Sequence, residues 1–226
     1  MQKGIAFLLL ILLLSACSST ANQGNPTAGD GTAAPSPSST SPAEPSPSGD
    51  SGTNQPTAPI PAATPEEAAA AILLALKQSD MTTLNAYIHP DKGLLFSPYA
   101  HIDTNSAKVF QADGLPPFTD STVYNWGAYD GSGEPISLTF KQYYEKFVYD
   151  KDFLASESVG ADEIKGEGNT LVNIKEVFPG SVVMDYYFSG FDEQYAGMDW
   201  ESLILVLEEL NGAWYLSAIV HSQWTI

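Results

Sequence analysis

The sequence predicts an α+β domain: N-terminal helices packed on a curved antiparallel sheet, preceded by a leader and a disordered linker. Three observations carry this reading. Apolar residues recur at helical spacing over residues 65–88 and 140–148, the period falls to two after about Asp162, and composition breaks at Thr64.

Residues 1–16 read as a secretory signal, with Lys3 in a short n-region, an apolar run ending at Leu14, and small residues after it. That run is too short to span a bilayer, which needs about 20 apolar residues. Residues 17–64 are almost all Ser, Thr, Pro, Gly, Ala, Asn and Gln, without an aromatic. Such a segment buries too little apolar surface to offset its ordering entropy, so it is expected to be disordered. Repeated Ser-Pro and Ala-Pro steps favour extended backbone. At about 3.1 Å per residue, the tether reaches roughly 145 Å when fully extended.

Residues 65–226 form the folded domain, and each element has a local signal. Thr64-Pro65-Glu66-Glu67 is a helix start with a capping residue, a first-turn proline and a capping-box glutamate. Ala69, Ile72, Leu73 and Leu76 continue that helix to about Gln78. Asp80 caps a second, short helix carrying Leu84, Tyr87 and Ile88, which must stop by Pro90. Residues 92–135 read as irregular, with short strands at 94–97 and 107–110. Phe140, Tyr143, Tyr144, Phe147 and Val148 mark a third helix, with Lys141 and Glu145 as an exposed i,i+4 pair.

Strands follow. Residues 171–177 are expected to form one, Pro179-Gly180 a turn, and Val182, Met184, Tyr186 and Phe188 the apolar face of the next. Asp185, out of phase with that face, is expected to meet solvent. Leu203, Leu205 and Leu207 lead into Asn211-Gly212, and Trp214, Leu216, Ala218 and Val220 leave it. Asn-Gly between alternating runs is the strongest short-range hairpin signal.

Charge narrows the partners. The chain has 27 acidic residues against nine Lys and no Arg, and loss of Lys3 with the leader takes the net charge from −18 to −19. This field repels nucleic acid and anionic head groups, and without Arg the usual bidentate clamp for phosphate is missing. Cys17 is the only cysteine, so disulfides, thiol catalysis and cysteine-ligated metals are excluded.

Leu14-Ser15-Ala16-Cys17 resembles the lipobox of bacterial lipoproteins. The resemblance implies cleavage before Cys17 and lipidation of its sulfur, anchoring the protein to the extracytoplasmic face of a cell membrane. Two acyl chains suffice for stable anchoring. A helix pair, a middle helix and a curved antiparallel sheet ending in Gly212-Ala213-Trp214-Tyr215-Leu216 resemble the NTF2-like (cystatin-like) fold, as does the stretch Leu84 to Asp91. The chain is also similar to uncharacterised bacterial envelope lipoproteins sharing His89-Pro-Asp-Lys-Gly and the run from Trp126 to Pro135.

Three sets of residues are candidates for chemistry. His89, His101 and Asp103 are the catalytic candidates, and His101 and Asp103, on one face if extended, could converge on a cation. Against this, His89 also reads as a helix-ending residue, His101 as a surface loop residue and His221 as a sheet residue beside Ile219. Asp130, Ser132 and Glu134 place oxygens at alternate positions suited to Ca²⁺, although Gly-Ser-Gly is equally a good turn. Trp126 and Tyr129, with Tyr195, Trp200 and Trp224, read as loop or strand-end aromatics that could stack on a ligand. Nucleophile-elbow and phosphate-loop motifs are absent, and no cofactor is implied. The expected role is non-enzymatic binding of an envelope protein, wall glycan or small ligand. The alternative is a small-pocket hydrolase or isomerase using a buried His or Asp.

Overall fold

Thr64 opens the first helix with its own side chain: Oγ1 accepts from the Glu67 N–H at 3.2 Å. The Glu67 carboxylate reaches back to the Ala63 N–H at 3.1 Å, one residue beyond the expected partner. The computed structural model describes residues 62–225 except residue 167. The leader, Cys17 and the linker up to residue 61 therefore lie outside the described residues. Among the described residues, no helix is long and apolar enough to cross a membrane.

Helix α1 (Pro65–Gln78) ends at Ser79, whose backbone is left-handed, and Asp80 caps α2 (Met81–Tyr87) by accepting from the N–H groups of Thr82 and Thr83. Strands β1 (Leu94–Ser97) and β2 (Lys108–Phe110) pair antiparallel. Next come β3 (Val123–Ala128), β4 (Pro135–Thr139) and α3 (Phe140–Phe147), whose capping box joins Thr139 and Gln142. After β5 (Ser158–Ala161) and the short α4 (Ile174–Val177) the chain runs through β6 (Val182–Phe188), β7 (Glu201–Leu210) and β8 (Ala213–Gln223). Asn211 and Gly212, both at positive φ, make the expected turn between the last two.

The result is a mixed α+β architecture with few helices and a curved sheet. Its six strands lie in the order β2-β1-β8-β7-β6-β5. The run from β5 to β8 is an antiparallel meander, but β1 lies parallel to β8, so the sheet is mixed. A register shift between Val206 and Leu207 marks a bulge in the β7–β8 pair, a device that bends strands and increases twist. Strands β3 and β4 form a separate two-stranded sheet.

Both faces of the main sheet are covered. On one, Leu203, Leu205, Leu207, Leu216 and Ile219 join Ile72, Leu73 and Leu76 of α1 and Phe140, Tyr143 and Phe147 of α3. On the other, Val183, Ile204, Val206, Ala218 and Val220 meet Ile174, Phe178 and Ile102. This two-sided burial turns residues 203–207 into a continuous apolar run.

Three expectations need correction. Residues 171–177 form no strand: neither alternate set there is wholly apolar, and Ile174 and Phe178 share a helical face at i,i+4 instead. Asp185 is on the expected face but is 0% exposed, because Ile164, Ile174 and Phe178 pack on that side and the Lys165 N–H donates to its Oδ2 at 2.7 Å. The third concerns residues 123–139, where Tyr124 and Trp126 alternate opposite Ile136 and Leu138 in a hairpin rather than an irregular loop.

Candidate functional site

The β3–β4 hairpin and the loop after β1 enclose a cleft of about 570 Å³, within the usual range for small-molecule sites. Its walls come from three stretches: Ser97 to Ala107, Trp126 to Asp130, and Asn169 to Leu171. Each is held by local chemistry. Ser97 Oγ donates to the Tyr99 carbonyl at 2.7 Å as the chain leaves β1. Asp103 then organises the loop, accepting from the Asn105 N–H at 3.0 Å and from Ser106 Oγ at 2.7 Å. Those hydrogen bonds, Ser106 foremost, hold its carboxyl below the ordinary range. His101 Nδ1 lies 3.2 Å from the Leu171 carbonyl, and Asn173 clasps both backbone groups of Ile102, tying the loop to the third wall.

Tyr99 and Tyr129 form the aromatic side. The Tyr99 hydroxyl accepts from the Asp130 N–H at 3.2 Å, and burial pushes its own pKa upward. Tyr129 OH accepts from Lys146 Nζ at 3.2 Å, and that ammonium sits 4.7 Å from its ring centroid. Leu171, 82% exposed, adds an apolar lip. Behind them the Phe147 ring touches both tyrosines, at 6.2 and 6.4 Å between centroids.

Five of the residues singled out from sequence meet at this cleft: His101, Asp103, Trp126, Tyr129 and Asp130. Trp126 enters it as part of the wall rather than as a free stacking surface. It is 1% exposed, stacked on Tyr143 at 3.8 Å, and its indole N–H donates to the Leu138 carbonyl at 2.9 Å. Trp200 is also buried, at the start of β7, rather than in an open loop.

The other candidates lie elsewhere. His89 is buried after α2, where Nδ1 accepts from the Asp91 and Lys92 N–H groups; burial, above all, lowers its pKa. It is a loop organiser and does not line the cleft. Asp130, Ser132 and Glu134 are exposed on the β3–β4 turn. Asp130 Oδ1 accepts from the Gly131 N–H and Ser132 Oγ from the Glu134 N–H, so these oxygens serve the turn itself. This is the plain-turn reading of Gly-Ser-Gly, and it leaves the Ca²⁺ expectation for Asp130, Ser132 and Glu134 without a formed cage.

Sequence reasoning passed over a second constellation: Asp150, Glu201 and His221, with Lys151 beside them. One signal was present in the chain. Glu201 is in phase with Leu203, Leu205 and Leu207, so a carboxylate stands in the register of the core. Compared with protein-family models, curated proteins and solved structures, the chain matches none of them.

Proposed function

We propose that this protein is a lipid-anchored extracytoplasmic binding module whose cleft takes a small ligand of the wall-glycan class. One observation carries the reading: residues far apart in sequence converge on a cleft with aromatic and apolar walls and a carboxylate rim. Tyr99, Tyr129 and Leu171 offer surface for the apolar face of a sugar, while Asp103 and Asp130 can accept from hydroxyl groups. The acidic surface and absence of Arg disfavour phosphorylated or otherwise anionic ligands. His89, His221 and Asp185, the buried His and Asp on which an enzyme reading would draw, do not line this cleft.

Two parts of the proposal rest on sequence. The lipobox-like Leu14-Ser15-Ala16-Cys17 supports anchoring, with residues 18–64 as the spacer. The helix pair, middle helix and curved sheet support an NTF2-like assignment. Fold alone assigns no chemistry, so the cleft supports the ligand class and the fold does not.

The test is a thermal-shift and calorimetric titration of the full chain with soluble wall-glycan fragments. A ligand at 100 times its Kd adds about 2.7 kcal/mol, or roughly 5–11 °C for a domain of this size. Tyr129→Ala should abolish that shift, and the loss of its packing beside Phe147, about 1–2 kcal/mol, should lower the unliganded melting temperature by roughly 2–8 °C. A flat response from the native chain, or an undiminished one from Tyr129→Ala, rejects the ligand assignment. For the anchor, Cys17→Ser should lose acyl labelling and membrane association in a bacterial host; a variant that stays labelled overturns it.

A further inference from the structure

Asp150, Glu201 and His221 come from three elements but meet at one end of the main core. Glu201 opens β7, and His221 on β8 pairs with Leu203, two residues farther along β7 on the same face as Glu201. The two side chains are therefore diagonal neighbours on the helix-covered face. Asp150 follows α3 closely, and the Phe147 ring at the end of that helix stands edge-on to the His221 imidazole at 5.6 Å. A carboxylate oxygen of each acid and a ring nitrogen of His221 lie within 4.8 Å of one another. Among the described residues, no other group of three His, Cys, Asp or Glu side chains comes together in this way.

The hydrogen bonding of this group is incomplete in an informative way. His221 is 0% exposed and Glu201 6%. His221 Nε2 lies 3.2 Å from Gln223 Oε1, so the ring proton sits on Nε2 and Nδ1 keeps its lone pair. That Nδ1 is buried with no partner, and so are Asp150 Oδ1 and Glu201 Oε1. These three buried atoms thus have no partner in place beyond a proton that Asp150 and Glu201 would have to share, and buried polar atoms are rarely left so. Lys151 does not supply it: Nζ binds Asp150 Oδ2 at 3.2 Å and Glu201 Oε2 at 3.1 Å.

We infer that Asp150, Glu201 and His221 form a binding site for a divalent transition-metal cation, with Zn²⁺ or Mn²⁺ as the fitting class. One imidazole nitrogen and two carboxylate oxygens suit such borderline ions, whereas Ca²⁺ prefers a cage of oxygens alone. Metal–ligand distances of about 2.0–2.2 Å at tetrahedral angles place neighbouring ligands about 3.4 Å apart, so the three groups must draw together by up to about 1.4 Å from their 4.8 Å spread to close on an ion. The Nε2–H bond to Gln223 is the outer partner that a ligating histidine ordinarily has. Water fills the remaining positions from the side of Asp150 and Lys151, whose side chains are only partly buried. Lys151 tempers the affinity, because a second cation a few ångströms from the ion repels it. This site shares no residue with the lining of the cleft.

The experiment uses the full chain, stripped with chelator and titrated calorimetrically with Zn²⁺, Mn²⁺, Ca²⁺ and Mg²⁺. One equivalent of Zn²⁺ or Mn²⁺ should bind, with a matching rise in melting temperature. Glu201→Gln and His221→Gln should each weaken binding by at least 100-fold, and Lys151→Ala should tighten it by about tenfold. X-ray absorption of the Zn²⁺-loaded native chain should show a single imidazole with oxygen ligands, a readout that stands even if a variant fails to fold. No stoichiometric binding would mean that a shared proton and water satisfy these atoms, and would overturn the site. Binding unchanged by Glu201→Gln, Ca²⁺ binding as tight as Zn²⁺, or an absorption spectrum without imidazole would overturn it as well.

Discussion

Replacing Trp126 with alanine decides whether this residue is core or ligand surface. The indole is stacked on Tyr143 at an interplanar angle of 16°, lies near Phe96, Phe110 and Tyr124, and donates to the Leu138 carbonyl. Truncating a fully buried Trp costs about 3–5 kcal/mol in transfer and cavity terms. Loss of the indole donor adds to this, since an unsatisfied carbonyl costs roughly 1 kcal/mol or more. At about 2–4 °C per kcal/mol for a domain of this size, the combined loss should lower the melting temperature by roughly 8–24 °C. Trp126→Phe keeps a ring against Tyr143 but loses the hydrogen bond, so about 1–2 kcal/mol is expected. Urea denaturation of the full chain, followed by far-UV circular dichroism, gives both numbers. A Trp126→Ala protein within about 1 kcal/mol of native stability that has lost only ligand binding would refute the core assignment.

Two further substitutions test buried charge. Glu208 is buried beside Lys92 Nζ, at 2.6 Å, and Ser217 Oγ; burial alone would raise its pKa, but these partners draw it below the usual range. The pair therefore contributes stability above the unfolded pKa and loses it as pH falls through the folded one. Lys92→Met should cost about 1–2 kcal/mol at neutral pH, since half of Lys92 is exposed, and almost nothing in strong acid. Asp185 carries the opposite sign: burial raises its pKa despite the Lys165 N–H, so its ionisation destabilises the fold as pH rises. Asp185→Asn should be more stable than the native chain at neutral pH and lose that advantage in acid. Equal pH dependence for the two proteins would show that the burial of Asp185 costs nothing.

What was legible in the sequence was local. Thr64, Asp80 and the Asn211-Gly212 turn each specify their geometry through neighbours a few residues away, and the structure places a cap or turn at each. Residues 171–177 misled because Leu171, Val172, Ile174 and Val177 are too short a run to fix a period, and the fold uses the i,i+4 spacing of Ile174 and Phe178. Asp185 misled differently: its face follows from alternation, but the segment that covers that face does not. The cleft was half legible, since aromatic and acidic residues stood out one by one while their convergence depends on how β1 and β3 are placed. Asp150, Glu201 and His221 were the least legible, because only strand register and the end of α3 bring them together.

Strand β8 is the last in sequence of the described strands, yet it lies in the interior of the sheet, between β1 and β7. Leu95 is paired with Ala218, and closing so long a stretch of chain costs about 2 kcal/mol more entropy than closing a ten-residue loop. Parallel long-range pairing of this kind is slow. During synthesis the β1–β2 hairpin and the β5–β7 meander each present an edge with no strand to fill it until residues 213–223 emerge. The order of manufacture thus keeps the sheet open until β8 has been made, which suits a protein proposed to cross a membrane before it folds.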